Sequence, residues 1–159
     1  MKIENIIKLA ASIIICLMAG FIGSVFTVDS IQTWYMGIEK PFFNPPNWVF
    51  GPVWTTLFIL MGISLYLVWS RGIKTNDAKI ALTLFAAQLV LNVLWSIIFF
   101  SLKSPFYAFI EIVILWTAIL LTIIWFRKIS KTAGYLLVPY ILWVSFAAVL
   151  NLSIFLLNS

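Results

Sequence analysis

The fold turns on the reading of "IIKLAASIIICLMAGFIGSVFTV", residues 6–28, in which Lys8 is the one charged side chain. The run meets the length of about 20 mostly apolar residues that a helix needs to cross a bilayer. Its centre, "IIICLMAGFIG" (13–23), shows no apolar–polar alternation, which argues against the short alternating strands of a membrane β-barrel. Four more stretches share this character, at 48–70, 79–101, 105–126 and 133–157. Each is bounded by a charge, a proline or a polar cluster, as helix ends are. The whole chain is 64% apolar and 9% charged, with a mean hydropathy of +1.12. Soluble domains carry about a quarter charged residues. The expectation is an all-α membrane protein: one domain, 1–159, built as a five-transmembrane-helix bundle with a lid-like loop at 29–47.

The placement of basic residues supports the count of five. Lys2, Lys8, Arg71, Lys74, Lys79, Arg127, Lys128 and Lys131 fall on one side of such a bundle, and only Lys40 and Lys103 on the other. Lysine and arginine near span ends favour the cytoplasm, so the N-terminus is expected inside and the C-terminus outside. This bias accounts for the pI near 9.5 with no nucleic-acid partner, because the cations are scattered and not interleaved with solvent-facing aromatics. The first run exceeds a signal-peptide core of about 7–15 residues, so it is expected to stay attached. Cys16, the lone cysteine, excludes an internal disulfide and reads as a small buried hydrophobe.

The first connection, "DSIQTWYMGIEKPFFNPPN" (29–47), is the longest. Trp34, Tyr35, Met36, Phe42 and Phe43 are too apolar for a solvated tether. A long loop of this kind reads as a lid, with an interfacial aromatic belt as the alternative. Pro45 and Pro46 stiffen its entry into the second helix.

Helical spacing then gathers large aromatics with small or amide residues. Gly51, Trp54, Phe58 and Gly62 share a stripe on the second span. Gln88, Asn92, Trp95, Ser96 and Phe99 form another on the third, and Trp143, Ala147, Leu150 and Asn151 a third on the fifth. Amides and hydroxyls avoid hydrocarbon, so these stripes face the bundle interior, as ligand contacts or as hydrogen-bonded glue between helices. With the topology above, Trp54, Trp95 and Trp143 lie in the lid-side halves of their helices. Mostly apolar walls with a few placed polar groups describe a small-molecule site. Glu111 is the one acidic residue well inside a span, either an intramembrane proton site or a structural bond to a neighbouring helix. Ala19-x-x-x-Gly23 and Gly20-x-x-x-Ser24 suit close helix approach, within the chain or in a homodimer.

The chain has no histidine, which removes paired-histidine zinc sites, the commonest haem ligation and Ser–His or Cys–His nucleophiles. No phosphate-binding glycine loop is present. No cofactor or metal is expected to be required. A flat ligand would be held by stacking and a few hydrogen bonds, and a tetrapyrrole would bind metal-free or with a metal that needs no histidine.

The segment "WYMGIEKPFFNPPNWVFGPVWTTLFILMGISLYLVW" (34–69) closely resembles the signature of the TspO/MBR family, which includes bacterial tryptophan-rich sensory proteins and the mitochondrial translocator protein, or peripheral benzodiazepine receptor. "AAQLVLNVLWSIIFF" (86–100), "PFYAFIEIVILW" (105–116) and "LVPYILWVSFAAVLN" (137–151) continue the match in order. The resemblance implies a bundle, commonly dimeric, that binds porphyrins such as protoporphyrin IX and isoquinoline or benzodiazepine drugs beneath the first loop. Carried over by motif, the walls are Tyr35, Pro45, Trp54, Phe58, Asn92, Trp95, Ser96, Trp143 and Ala147. It also implies, as one alternative, light-dependent porphyrin breakdown with Trp54 and Trp143 as the catalytic candidates. The tail "AAVLNLSIFLLNS" (147–159) lacks the tyrosine-then-basic pattern of eukaryotic sterol recognition, so sterol binding by that motif is not expected. The short uncharged tail and the charge bias suit a prokaryotic cell membrane.

Three functions follow as expectations. The first is a membrane protein that binds tetrapyrroles in sensing, regulation or transport. The second is photo-oxidation of a bound porphyrin. The third is proton-coupled transport through Glu111, against which stand the small size and the absence of evident inverted repeats.

Overall fold

A computed structural model describes residues 3–159; Lys2, counted above among the basic residues, lies outside them. In chain order the helices are α1 (Ile3–Gln32), the single turn α2 (Trp34–Gly37), α3 (Asn47–Trp69), α4 (Asn76–Ser96), α5 (Pro105–Ile129), α6 (Lys131–Leu136) and α7 (Val138–Leu157). A π-helical turn, Ile97–Ser101, prolongs α4, and α6 with α7 makes one span. Five helices are therefore long and apolar enough to cross a membrane, and the chain is a multi-pass membrane protein. Span ends shift from the expected ones by a few residues.

Local chemistry sets the ends. Thr75 Oγ1 accepts the Ala78 N–H at 3.2 Å to cap α4, and Ser130 Oγ accepts that of Ala133 at 3.3 Å to cap α6. Such caps satisfy donors that a helix start leaves without partners. Proline opens both α5 and α7, where its missing N–H costs nothing. The connector differs from the expected loop. Helix α1 runs on to Gln32 and α2 takes up the aromatic residues, leaving 38–46 irregular. The reason is packing: Tyr35, Trp34 and Ile31 join a second apolar cluster with Phe99 and Phe100 of the π-turn. Met36 and Phe42 of the same connector remain exposed.

Lipid tails are as apolar as leucine, so the helices are held by close packing and hydrogen bonds. Across α1 and α3, a Cβ at Gly62 would lie 2.6 Å from the Ile13 Cα, and one at Gly20 would lie 2.5 Å from the Phe58 ring. A Cβ at Gly23 would come 3.2 Å from Ser96 Oγ of α4. Gly20 and Gly23 of the small-residue pattern of α1 thus make close contacts within the chain. Ser64 Oγ donates to the Ala133 carbonyl at 2.8 Å, and Ser30 Oγ to the Phe100 carbonyl at 2.8 Å. Near the basic end the Phe85 and Phe126 rings stack at 5.4 Å in a tightly packed core. There the Arg71 guanidinium donates to the Ile129 carbonyl.

Gly62→Ala drives a methyl into the Ile13 backbone, which has no flexible end to yield. The expected cost is about 1–3 kcal/mol, read as a lower midpoint of thermal unfolding in detergent. Gly51→Ala, which meets nothing within 4 Å, should be neutral or slightly stabilising through its gain in helix propensity.

Candidate functional site

The lid-side half of the bundle encloses a cavity of about 540 Å³. Its walls come from α1, α3, α4 and α7, with Tyr35 of α2 above. Of the residues that the resemblance implied, Tyr35, Trp54, Phe58, Asn92, Trp95, Ser96, Trp143 and Ala147 line it. Pro45 does not. It lies in the extended entry to α3, its carbonyl accepting from Asn44 Nδ2 at 3.2 Å, and Asn47 and Phe50 meet the cavity in its place. Gln88 also departs from its stripe: it is buried away from the cavity, one helical turn deeper than Asn92. Gly62 is spent on Ile13.

Each tryptophan is held by a different device. Trp54 stacks on Phe58 with centroids 5.6 Å apart and meets Tyr140 edge-on at 6.2 Å. Trp95 stacks on Phe99 at 5.1 Å and donates its indole N–H to Asn151 Oδ1 at 3.0 Å. Trp143 leans on Phe146 at 5.4 Å and meets Phe50 at 6.1 Å. Asn151 Nδ2 donates to the Pro105 carbonyl at 2.7 Å, so this amide acts as glue between helices. Asn92 is oriented likewise, its Nδ2 donating to the Tyr140 hydroxyl at 2.9 Å.

The polar inventory of the cavity is what these ties leave over. Among the described residues the indole N–H groups of Trp54 and Trp143 have no partner, whereas those of Trp95 and Trp116 do. Thr27, Ser24 and Thr55 bond to carbonyls of their own helices. The site is thus an aromatic slot in which the Trp54 and Trp143 indoles, the Ser96 hydroxyl and the Asn47 amide are left without partners among the described residues. It suits a flat apolar molecule with acceptor groups at its edge.

Of the connector, Tyr35 of α2 reaches the cavity and no residue of 38–46 does. Tyr35 is buried and packs on Phe100 at 5.8 Å, and its hydroxyl donates to Asn44 Oδ1 at 2.8 Å. Lys40 Nζ stands 4.9 Å above its ring. At the far end Asn158 of the chain terminus grips Glu39 twice, its Oδ1 accepting the backbone N–H at 3.0 Å and its Nδ2 donating to the carbonyl at 2.9 Å.

Glu111 does not line the cavity. It is buried on the inward face of α5, and neither carboxyl oxygen has a partner among the described residues. No bond to a neighbouring helix ties it there. The wall that the sequence reading missed is α1, which contributes Leu17, Gly20, Phe21, Gly23, Ser24, Thr27, Val28 and Ile31. Its signal was present in the spacing of small and hydroxyl residues, read only as helix packing.

The geometry defines a class: a five-span membrane protein with an aromatic, lidded small-molecule cavity. The family model described as the TspO/MBR family matches residues 12–157. Among curated relatives, the tryptophan-rich protein TspO of Archaeoglobus fulgidus is 52% identical, the match spanning 98% of this chain and 99% of the relative. The protein of the same name from Chlorobaculum tepidum is 47% identical over 98% of each. The Homo sapiens translocator protein is 39% identical over 82% of this chain and 78% of its own length. The chain belongs to the TspO/MBR family.

Burial pushes the Tyr35 hydroxyl up to about 12, partly offset by its bond to Asn44. The neutral phenol is thus favoured in the folded state, where an unfolded tyrosine ionises near 10. Its contribution to stability is fully present below pH 10 and is lost as pH rises from about 10 to about 12. Unfolding midpoints measured across that window should fall more steeply for the native protein than for Tyr35→Phe, with the two curves parallel below it.

Proposed function

We propose that the chain is a membrane binding protein for tetrapyrroles, protoporphyrin IX in particular, and for flat hydrophobic drugs of the isoquinoline or benzodiazepine type. The observation that carries this reading is the convergence of Trp54, Trp95 and Trp143, from three spans, on one cavity of about 540 Å³. Pockets of about 300–1,000 Å³ bury most of a drug-sized molecule. The free indole donors match acceptor groups at a ligand's edge, and the stacked rings match its faces. The names of the relatives, one of them a translocator, agree with handling of a small molecule.

Titrating tryptophan fluorescence with protoporphyrin IX tests it. Quenching should saturate. Trp54→Ala and Trp143→Ala should each forfeit about 1 kcal/mol, a roughly fivefold rise in Kd, while Trp125→Phe, outside the cavity, should change nothing. Affinity untouched by both alanine variants would refute the assignment.

The proposed orientation has the N-terminus and the basic end in the cytoplasm and the lid outside, with bacterial and archaeal relatives favouring a prokaryotic cell membrane. It rests on Arg71, Lys74, Arg127, Lys128 and Lys131 at one end against Lys40 and Lys103 at the other. In a Cys16→Ala background, an impermeant maleimide applied to intact cells should label Lys103→Cys at once and Lys74→Cys only after lysis.

A further inference from the structure

We propose that the ligand enters and leaves the cavity sideways, from the bilayer, through a portal between the lid-side halves of α1 and α3. The inference rests on the binding reading above. It starts from the uneven contact of these two helices. They touch tightly where Gly62 meets Ile13 and where Gly20 meets Phe58, yet a Cβ at Gly51 would find nothing within 4 Å. The close contacts of the pair lie deep in the bundle, and around the Gly51 Cα there is open space toward the lid.

The residues flanking that gap belong at once to the cavity and to the lipid surface. Phe21, Ser24 and Val28 of α1, with Gly51 and Thr55 of α3, line the cavity, and all five are exposed. Phe21 is 70% exposed and Val28 55%. Between α1 and α3 the wall of the site is therefore interrupted.

The edges of the gap suit passage through hydrocarbon. Ser24 Oγ donates to the Phe21 carbonyl at 2.7 Å, and Thr55 Oγ1 to the Gly51 carbonyl at 2.9 Å. Each hydroxyl is satisfied within its own helix and needs neither water nor ligand. The other sides are more constrained, although Asn47 at the lid-side start of α3 also lines the cavity and is exposed. Above, the connector is pinned by Tyr35 to Asn44 and by Asn158 to Glu39. Below, the core around Met61, Phe85 and Phe126 is packed. A membrane-dissolved planar molecule passes edge-on between the helices without displacing the connector.

The test uses the full chain in nanodiscs, with protoporphyrin IX delivered from loaded vesicles and tryptophan quenching followed by stopped flow. Gly51→Phe and Thr55→Phe build side chains into the gap, and Asn158→Ala releases the connector. Both phenylalanine variants should slow association and dissociation together by about tenfold, as obstruction of a path requires; the readout is the pair of rates, because both residues also line the cavity. Asn158→Ala should leave the association rate unchanged. The portal is overturned if the phenylalanine variants keep native rates, if they raise Kd by speeding dissociation, or if Asn158→Ala accelerates entry. Absence of saturable quenching in the unaltered protein would overturn the binding reading, and the portal with it.

Discussion

Asn151 holds the site together. Its side chain accepts from the Trp95 indole and donates to the Pro105 carbonyl, so one amide ties α4, α5 and α7 at the level of the cavity. In water such bonds exchange with solvent. In hydrocarbon there is no hydrophobic drive to bring helices together, and a handful of interhelical hydrogen bonds, worth about 0.6–2 kcal/mol each, decides the arrangement. The bond also fixes the plane of Trp95, and hence of Phe99 stacked against it. The neighbouring pair of Asn92 with Tyr140 does the same for the wall beneath. The order of the aromatic slot is thus a by-product of the ties that build the bundle.

A cavity of this size needs its own account. Voids left in packed cores cost about 24 cal/mol per Å³. A sealed, dry space of 540 Å³ would on that scale cost about 13 kcal/mol, comparable with the whole stability of a domain. A cavity whose wall is interrupted toward lipid, as proposed above, would escape that cost by letting acyl chains or a planar guest enter the space. On the proposed reading, open space between α1 and α3 would serve both to fill the cavity and to reach it.

The fold was legible because a bilayer imposes a coarse code. Uninterrupted apolar runs of membrane length have one structural answer, and the five appear within a few residues of where the sequence places them. The site was legible where chemistry is unusual for its surroundings. Indoles and amides repeated at helical spacing inside hydrocarbon must point inward, and Trp54, Asn92, Trp95, Trp143 and Ala147 do. The misreadings have separate causes. Gln88 fits its stripe by angle, but angle says nothing of depth along the axis. Pro45 was carried over by motif, and a matching motif in the connector does not by itself put a side chain on the cavity wall. The α1 wall was hidden because glycine and serine at close spacing look the same whether they admit a neighbouring helix or a ligand. Gly20 does the first against Phe58 while also lining the cavity.

The connector and the gap divide two properties between them. Tyr35 is buried, bonded to Asn44 and held beneath Lys40, and the double grip of Asn158 on Glu39 fixes the far end. A connector so held presents a preset surface to the guest, and preorganisation of that kind raises affinity by lowering the entropy lost on binding. It would make a poor gate, since every opening would break several of these contacts together. The side chains flanking the gap bear no such ties across it: Ser24 and Thr55 bond only to their own helices. Affinity then belongs to the aromatic slot and its fixed roof, and the rate of exchange to the spacing of two helices that meet at Gly20 and Gly62 and part above them.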